Sequence, residues 1–475
     1  MPASLFHSSL VASVVVAVKH RVRNPLGKEP PPPGHAHNPP MYALIKFYGQ
    51  ALIRSFYQVH STGPAIKDQG AMILVSNHSG GLVDGGLIWF VCQRNPRFIG
   101  KYTLFKMPIL GHIVKATGAI PIYRKKDKVD TSKNRGSFDA IHAELGQGGT
   151  IGMFPEGEGG SSSFLRPFKT GAARMGLGAM AVKDWSLDLL IQPVGIYYAD
   201  RDRYRSNLFA WRGDPIGFDH LRDLYEQSPI EAAKRATEEI RAALTKCVVQ
   251  YESPEEAPAM VMAAELIPHK GRLLPERVHS CVAGMRRLNK VAPSRARTLR
   301  DGLDKLSTEL QQVGIHARDL DNRPGLGATA RAGVLLASSF LLRWLIWAAW
   351  LPVIVPAQVI SRRNAPADKV VTFTIMGASF VSPLWLLGSA LWMGSKYGAA
   401  TSLITVLVLL LAAFSAGPIH DVFQRNLDTL NARFEGGARG ERNLRLLALR
   451  DHLKRILTRR SGAFDRLNLQ QDPPA

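Results

Sequence analysis

His78 and Asp84 lie six positions apart, where an apolar run gives way to polar and glycine residues. Met72 to Val75 reads as a buried strand, and Ser76-Asn77-His78 follows it where a strand delivers side chains to a site. Ser79-Gly80-Gly81 then lets the backbone turn tightly, which brings the Asp84 carboxylate within reach of the imidazole. A carboxylate so placed fixes the tautomer and stabilises the imidazolium, as an imidazole requires when it takes a proton from a hydroxyl. His78 and Asp84 are therefore the candidate catalytic pair. A histidine after a strand can equally be a hydrogen-bonded structural residue, so the pair needs support from the rest of the chain.

That support comes from order. Asn77-His78 with its downstream aspartate, Gly118-Ala-Ile-Pro-Ile-Tyr-Arg124, Phe154-Pro-Glu-Gly157 and Ile191-Gln-Pro-Val194 resemble the four ordered motifs of the glycerolipid acyltransferase family. The glycerol-3-phosphate and 1-acylglycerol-3-phosphate acyltransferases of phosphatidic-acid synthesis belong to it. The resemblance spans residues 41–220 and is silent on the C-terminal half. Two features depart from the family pattern: five residues rather than four separate His78 from Asp84, and Glu158-Gly159-Gly160 replaces a Thr-Arg-Ser that would carry a phosphate-binding arginine. Both are similar to the glycerol-3-phosphate or dihydroxyacetone-phosphate branch, as are Leu165-Arg-Pro-Phe-Lys-Thr-Gly171, Leu177-Gly-Ala-Met180 and Tyr204-Arg-Ser206.

The resemblance implies transfer of an acyl group from acyl-CoA or acyl-carrier protein to a hydroxyl of glycerol 3-phosphate, with a lysophosphatidic acid as the alternative acceptor. No cofactor, metal or covalent acyl-enzyme is expected. Arg124 ends a strand with a guanidinium suited to two phosphate oxygens at once, and the family uses it in that way. Lys125 and Lys126 read better as a solvated basic turn. Lys101 and Lys106 are secondary phosphate candidates, and Arg166 and Lys169 could replace the absent motif arginine. Glu156, also at a strand end, can hold the acceptor in attack geometry or simply cap a loop; it is placed with Gly157 among the substrate-binding residues. Pro193 interrupts a strand, usually the mark of an edge or a bulge, and the family analogy makes it a wall of the acyl-donor site.

The elements that must carry these residues alternate. Strands are expected at 71–76, 97–100, 119–123, 149–154, 188–197 and 207–212, with helices at 84–93, 103–116, 132–145 and 169–182. This is an α/β fold with a mixed sheet covered by helices. Met41 to Gln58 carries apolar residues at helical spacing and reads as an amphipathic helix before the core, whose apolar face packs on the domain or lies in a membrane interface, the aromatic residues favouring the interface. Residues 1–40 read as an N-terminal segment and Pro-rich linker; its His35 and His37 lack the preorganised partners a metal site needs.

The chain carries 60 Lys+Arg against 38 Asp+Glu, a net charge of +22 that calls for an anionic partner. Apolar stretches at 333–360, 370–392 and 399–418 favour anionic membrane lipids over nucleic acid in that role. Cys92, Cys247 and Cys281 are too few and too scattered for a disulfide framework. Residues 221–325 read as a basic helical region, 326–420 as a membrane region and 421–475 as a basic amphipathic tail. Arg343, Pro352 and Pro356 mar the first apolar stretch, so it is expected to enter and return or lie at the interface, while the other two form a hairpin. The basic residues flanking these stretches place the catalytic domain of an integral membrane protein on the cytoplasmic face. Leu446, Leu449, Leu453 and Ile456 are expected to face an anionic leaflet or a partner helix. A membrane scaffold with a retired catalytic domain is the rival from another class.

Overall fold

The structure, a computed structural model, describes residues 39–157, 165–268, 271–320, 324–365, 370–435 and 441–468. The Pro-rich segment with His35 and His37, the Glu158-Gly159-Gly160 departure and Lys369 lie outside the described residues.

The chain opens with helix α1 (Pro39–Phe56) and strand β1 (Gln58–Thr62). Then come β2 (Ala71–Ser76), α2 (Leu82–Val91), β3 (Arg97–Lys101), α3 (Tyr102–Phe105), α4 (Leu110–Ala116) and β4 (Ile120–Ile122). The domain is completed by α5 (Asn134–Gly146), β5 (Thr150–Met153), α6 (Gly171–Val182), β6 (Leu189–Tyr198) and β7 (Asn207–Arg212). The seven strands form one mixed sheet in the order β1-β7-β6-β2-β5-β3-β4.

Strand β2 is buried at every position, as a continuous apolar run in the middle of a parallel stretch should be. Its alternate side chains serve two cores: Ile73 and Val75 pack with α5 and α6, whereas Met72 and Leu74 pack with α1 and α2. Because β6, β2, β5, β3 and β4 run parallel, their carboxyl ends share one edge of the sheet. His78, Glu156 and Arg124 each follow one of these strands, so topology alone gathers them there.

Two features of the sheet were not legible beforehand. Strand β1 is short and polar, and the amphipathic pattern of α1 runs on to its first residue; it pairs in parallel with β7 at the sheet edge. Pro193 sits inside a continuous β6 between two neighbours, so it marks neither an edge nor an interruption. Gly213 N donates to Pro193 O at 3.0 Å, and the reciprocal donor that proline lacks is supplied by the Gln192 side chain, whose Nε2 donates to Gly213 O at 2.6 Å.

Beyond the sheet, α7 (Arg222–Gln227) and α8 (Pro229–Thr245) lead into α9 (Ala257–Leu266), α10 (Leu274–Val291) and α11 (Pro293–Val313), which build a separate core. Helix α15 (Glu441–Asn468) belongs to that core: Leu446, Leu453 and Leu457 are buried in it and Leu449 and Ile456 pack against it. The stripe expected to face a leaflet therefore covers protein, and the partner helix is intramolecular.

Helices α12 (Leu326–Asn364), α13 (Val370–Tyr397) and α14 (Ala399–Glu435) are each long and apolar enough to cross a membrane. α13 and α14 form a hairpin in which Gly394 lies against Ser402. α12 packs on both of its helices: the ring of Phe340 lies 6.3 Å from that of Phe423, and Ala357 packs on Gly377. Pro352 and Pro356 lie between the two contacts, where their missing N–H groups let a helix change direction.

Candidate active site

Asp84 enters the site on the first turn of α2 and is fully buried. Its Oδ2 accepts from His78 Nδ1 at 2.8 Å and from the Gly80 backbone N–H at 2.8 Å, while Oδ1 accepts from the Tyr198 hydroxyl at 2.7 Å. With three donors converging on it the carboxylate is the acceptor, so the imidazole N–H belongs on Nδ1. Nε2 carries no hydrogen bond among the described residues, and the ring keeps partial access to solvent. Phe154 stacks on the imidazole with centroids 4.1 Å apart. Burial and the neighbouring Asp84 charge hold the Tyr198 phenol well above its ordinary pKa, so it remains a donor.

The turn between His78 and Asp84 is built on glycines. Gly81 adopts φ +66°, and Gly80 lies so close to Tyr198 that no side chain fits there. Asn77 extends the pairing of β2 with β6 beyond the backbone ladder: its Oδ1 accepts from Ile196 N at 2.7 Å and its Nδ2 donates to Ile196 O at 3.0 Å. Arg201 Nη1 donates to Ser79 O at 3.1 Å and ties the turn to the loop after β6.

Glu156 lies at the carboxyl end of β5, next to β2, and is 6% exposed. Its Oε1 accepts from His78 N at 3.1 Å and its Oε2 from Arg166 N at 3.3 Å. Both oxygens are thus engaged by backbone donors, which is the loop-capping arrangement of the two considered. Burial raises its pKa, opposed by those two N–H groups and the nearby Arg166 charge.

Arg124 reaches the same place from β4. Its Nη1 donates to Gly157 O at 3.1 Å, while Nε and Nη2 grip Asp127 at 2.8 and 2.9 Å. Among the described residues three of the five guanidinium N–H groups are used, leaving two for an anion. The paired guanidinium holds the Asp127 carboxyl below its ordinary range, with Lys126 and Lys101 adding to the effect. Lys169 lies against Gly157, whose φ is +72°. Lys106 is farther out, its ammonium 4.8 Å from the Tyr102 ring, which itself packs on Tyr123 beside Arg124. Pro193 pairs with Val75, three residues before His78, and its ring rests against Gly213.

Asp127, Tyr198 and Thr372 were not foreseen. Asp127 carried a local signal, an acid three residues after a candidate phosphate arginine. Tyr198 sits one residue past the expected end of its strand, on the strand adjacent to the histidine's. Thr372 had no signal, since nothing in an apolar stretch some three hundred positions away points to a catalytic turn.

Residues 48–197 match the family model described as Acyltransferase. Over 144 residues the chain is 31% identical to glycerol-3-phosphate O-acyltransferase 2 of Saccharomyces cerevisiae, covering 30% of this chain and 18% of that one. Glycerol-3-phosphate O-acyltransferase 1 of the same yeast is 34% identical over 94 residues, 20% of this chain and 12% of that one. The chain thus spans less than a fifth of the length of either relative. The crystal structure of the 1-acyl-sn-glycerophosphate (LPA) acyltransferase from Thermotoga maritima aligns with a TM-score of 0.30 at 20% identity, covering 49% of this chain and 89% of that one.

Proposed function

We propose that this protein transfers a fatty acyl group from a thioester donor, acyl-CoA or acyl-carrier protein, to a hydroxyl of glycerol 3-phosphate at a membrane surface. The observation that carries the reading is the His78–Asp84 pair, with Nε2 unengaged among the described residues, at the same sheet edge as Arg124 and Lys169. His78 Nε2 takes the hydroxyl proton as that oxygen attacks the thioester carbonyl. The new C–O bond replaces C–S, and the thiolate leaves with the proton from the imidazolium. Asp84 stabilises the imidazolium meanwhile. The two remaining N–H groups of Arg124, with Lys169, Arg166, Lys101 and Lys106 as outer cations, hold the acceptor phosphate. Glu156 acts by fixing the His78 backbone.

The acceptor assignment draws on the likeness to the two yeast glycerol-3-phosphate O-acyltransferases. The full chain incubated with labelled acyl-CoA and both acceptors should yield 1-acylglycerol 3-phosphate. Phosphatidic acid alone would transfer the assignment to a lysophosphatidic acid acceptor, and no product with any thioester donor would leave a membrane scaffold. The arginines that flank the apolar helices favour the cytoplasmic side for the catalytic domain. Tags at residues 365 and 465 should then be accessible from the same side.

A further inference from the structure

The turn that bears the catalytic pair is held from two directions. From inside the domain, Arg201 Nη1 binds the Ser79 carbonyl at 3.1 Å. From outside, Thr372, on the first turn of the apolar helix α13, donates its hydroxyl to Gly80 O at 3.1 Å. Thr372 is 9% exposed, and its Cγ2 lies 3.5 Å from where a Cβ would stand on Gly81. Gly80 is the same residue whose N–H donates to Asp84 Oδ2, the oxygen that orients His78. The Gly80 Cα therefore joins the carbonyl that Thr372 holds to the N–H that binds the carboxylate of the pair.

The contact is part of a wider seat. Tyr48 of α1 donates to Ser379 O on α13 at 2.8 Å, and the Arg205 guanidinium, in the loop between β6 and β7, grips Asp421 on α14. These contacts hold α13 and α14 against the domain whether or not Thr372 bears a hydroxyl, so loss of that hydroxyl alone leaves the helices seated.

We infer that Thr372 is a positioning residue: the hydroxyl of an apolar helix fixes the Gly80 peptide, and through it the Asp84 carboxylate and the His78 ring, so that turnover depends on how α13 is seated. The inference rests on the acyl-transfer reading.

The test uses the full chain in lipid nanodiscs. Thr372→Val keeps the bulk and the methyl contact and removes only the donor. It should lower kcat by about tenfold, since a catalytic group displaced by a fraction of an ångström loses that much, with KM for both substrates unchanged. Thr372→Ser should restore kcat. Amide exchange in a peptide covering residues 78–84 should quicken in the valine variant and not in the serine one. Thr372→Ala, expected to behave like valine, covers a failure of valine to be accommodated. Unchanged kcat and exchange in both Val and Ala, or a rise in KM in place of a fall in kcat, overturns the assignment. A wild type that transfers no acyl group to any acceptor overturns the acyl-transfer reading instead, which separates the two failures.

Discussion

Gly80 and Tyr198 approach so closely that a Cβ added to the glycine would stand 2.1 Å from the tyrosine hydroxyl and 2.8 Å from Asp84 Oδ1. The turn between histidine and aspartate thus requires the absence of a side chain at that point. Gly80→Ala should push Tyr198 or Asp84 out of place and cut turnover by about a hundredfold. Steady-state kinetics on variant and wild type, matched for content by folded-protein assay, checks this.

Asp84→Asn tests the role of the pair. An amide presents one acceptor oxygen where the carboxylate receives His78 Nδ1, Gly80 N and the Tyr198 hydroxyl on two. The imidazole then loses the partner that fixes its tautomer, and kcat should fall by roughly ten-thousandfold, as in other carboxylate-oriented histidines. His78→Ala should do at least as much; a variant with wild-type rates would end the proposal.

Arg124→Ala should raise KM for the phosphorylated acceptor by about ten- to a hundredfold, the worth of a charge-assisted bidentate contact. KM for the acyl donor should not move. Asp127 uses two of the five donors on that arginine and sets its orientation, so Asp127→Asn should weaken acceptor binding in the same direction and by less. Initial rates over a matrix of donor and acceptor concentrations separate the two constants.

Six of the strands and the convergence of His78, Glu156 and Arg124 were legible because each residue follows a strand and parallel strands end on one edge; Asp84 joins them through the short turn after His78. What sequence could not give is what fills the space between them. The second ligand of the Asp84 carboxylate comes from Tyr198, 114 positions later, and the brace on Gly80 comes from Thr372. Neither belongs to a local pattern, since each is placed by which surfaces pack together. The tail was misjudged for a related reason: a basic helix with a leucine stripe looks the same whether the stripe covers lipid or a neighbouring helix core. Pro193 shows the converse, where a usual rule fails because one side chain, Gln192, replaces the missing donor.

Glu156 gives a pH dependence with a definite sign. Burial raises its folded pKa above the ordinary 4.5, so the native state holds this proton to higher pH than the unfolded chain does. Its contribution to stability is therefore full below the ordinary value and declines as pH rises through the folded pKa. Glu156→Gln removes that slope. It also leaves an amide NH2 facing either His78 N or Arg166 N, a buried mismatch costing about 1–3 kcal/mol. The variant should melt below wild type at acid pH, with the gap narrowing as pH rises. Thermal unfolding across the acid-to-neutral range reads both effects.

Leu453 decides between a tail that binds lipid and one that completes a protein core. It is 2% exposed and rests against Gly302 of α11, where a Cβ would meet it at 3.0 Å. Truncating such a side chain leaves a cavity and should cost about 2–5 kcal/mol in the helical region. Leu453→Ala should therefore lower the midpoint of thermal unfolding and expose α10 and α11 to proteolysis, while partition into anionic vesicles stays as in wild type. If the variant instead melted normally and partitioned less, the leucine stripe would have to face the bilayer, and α15 would have to leave the core in which Leu446 and Leu457 are buried beside it.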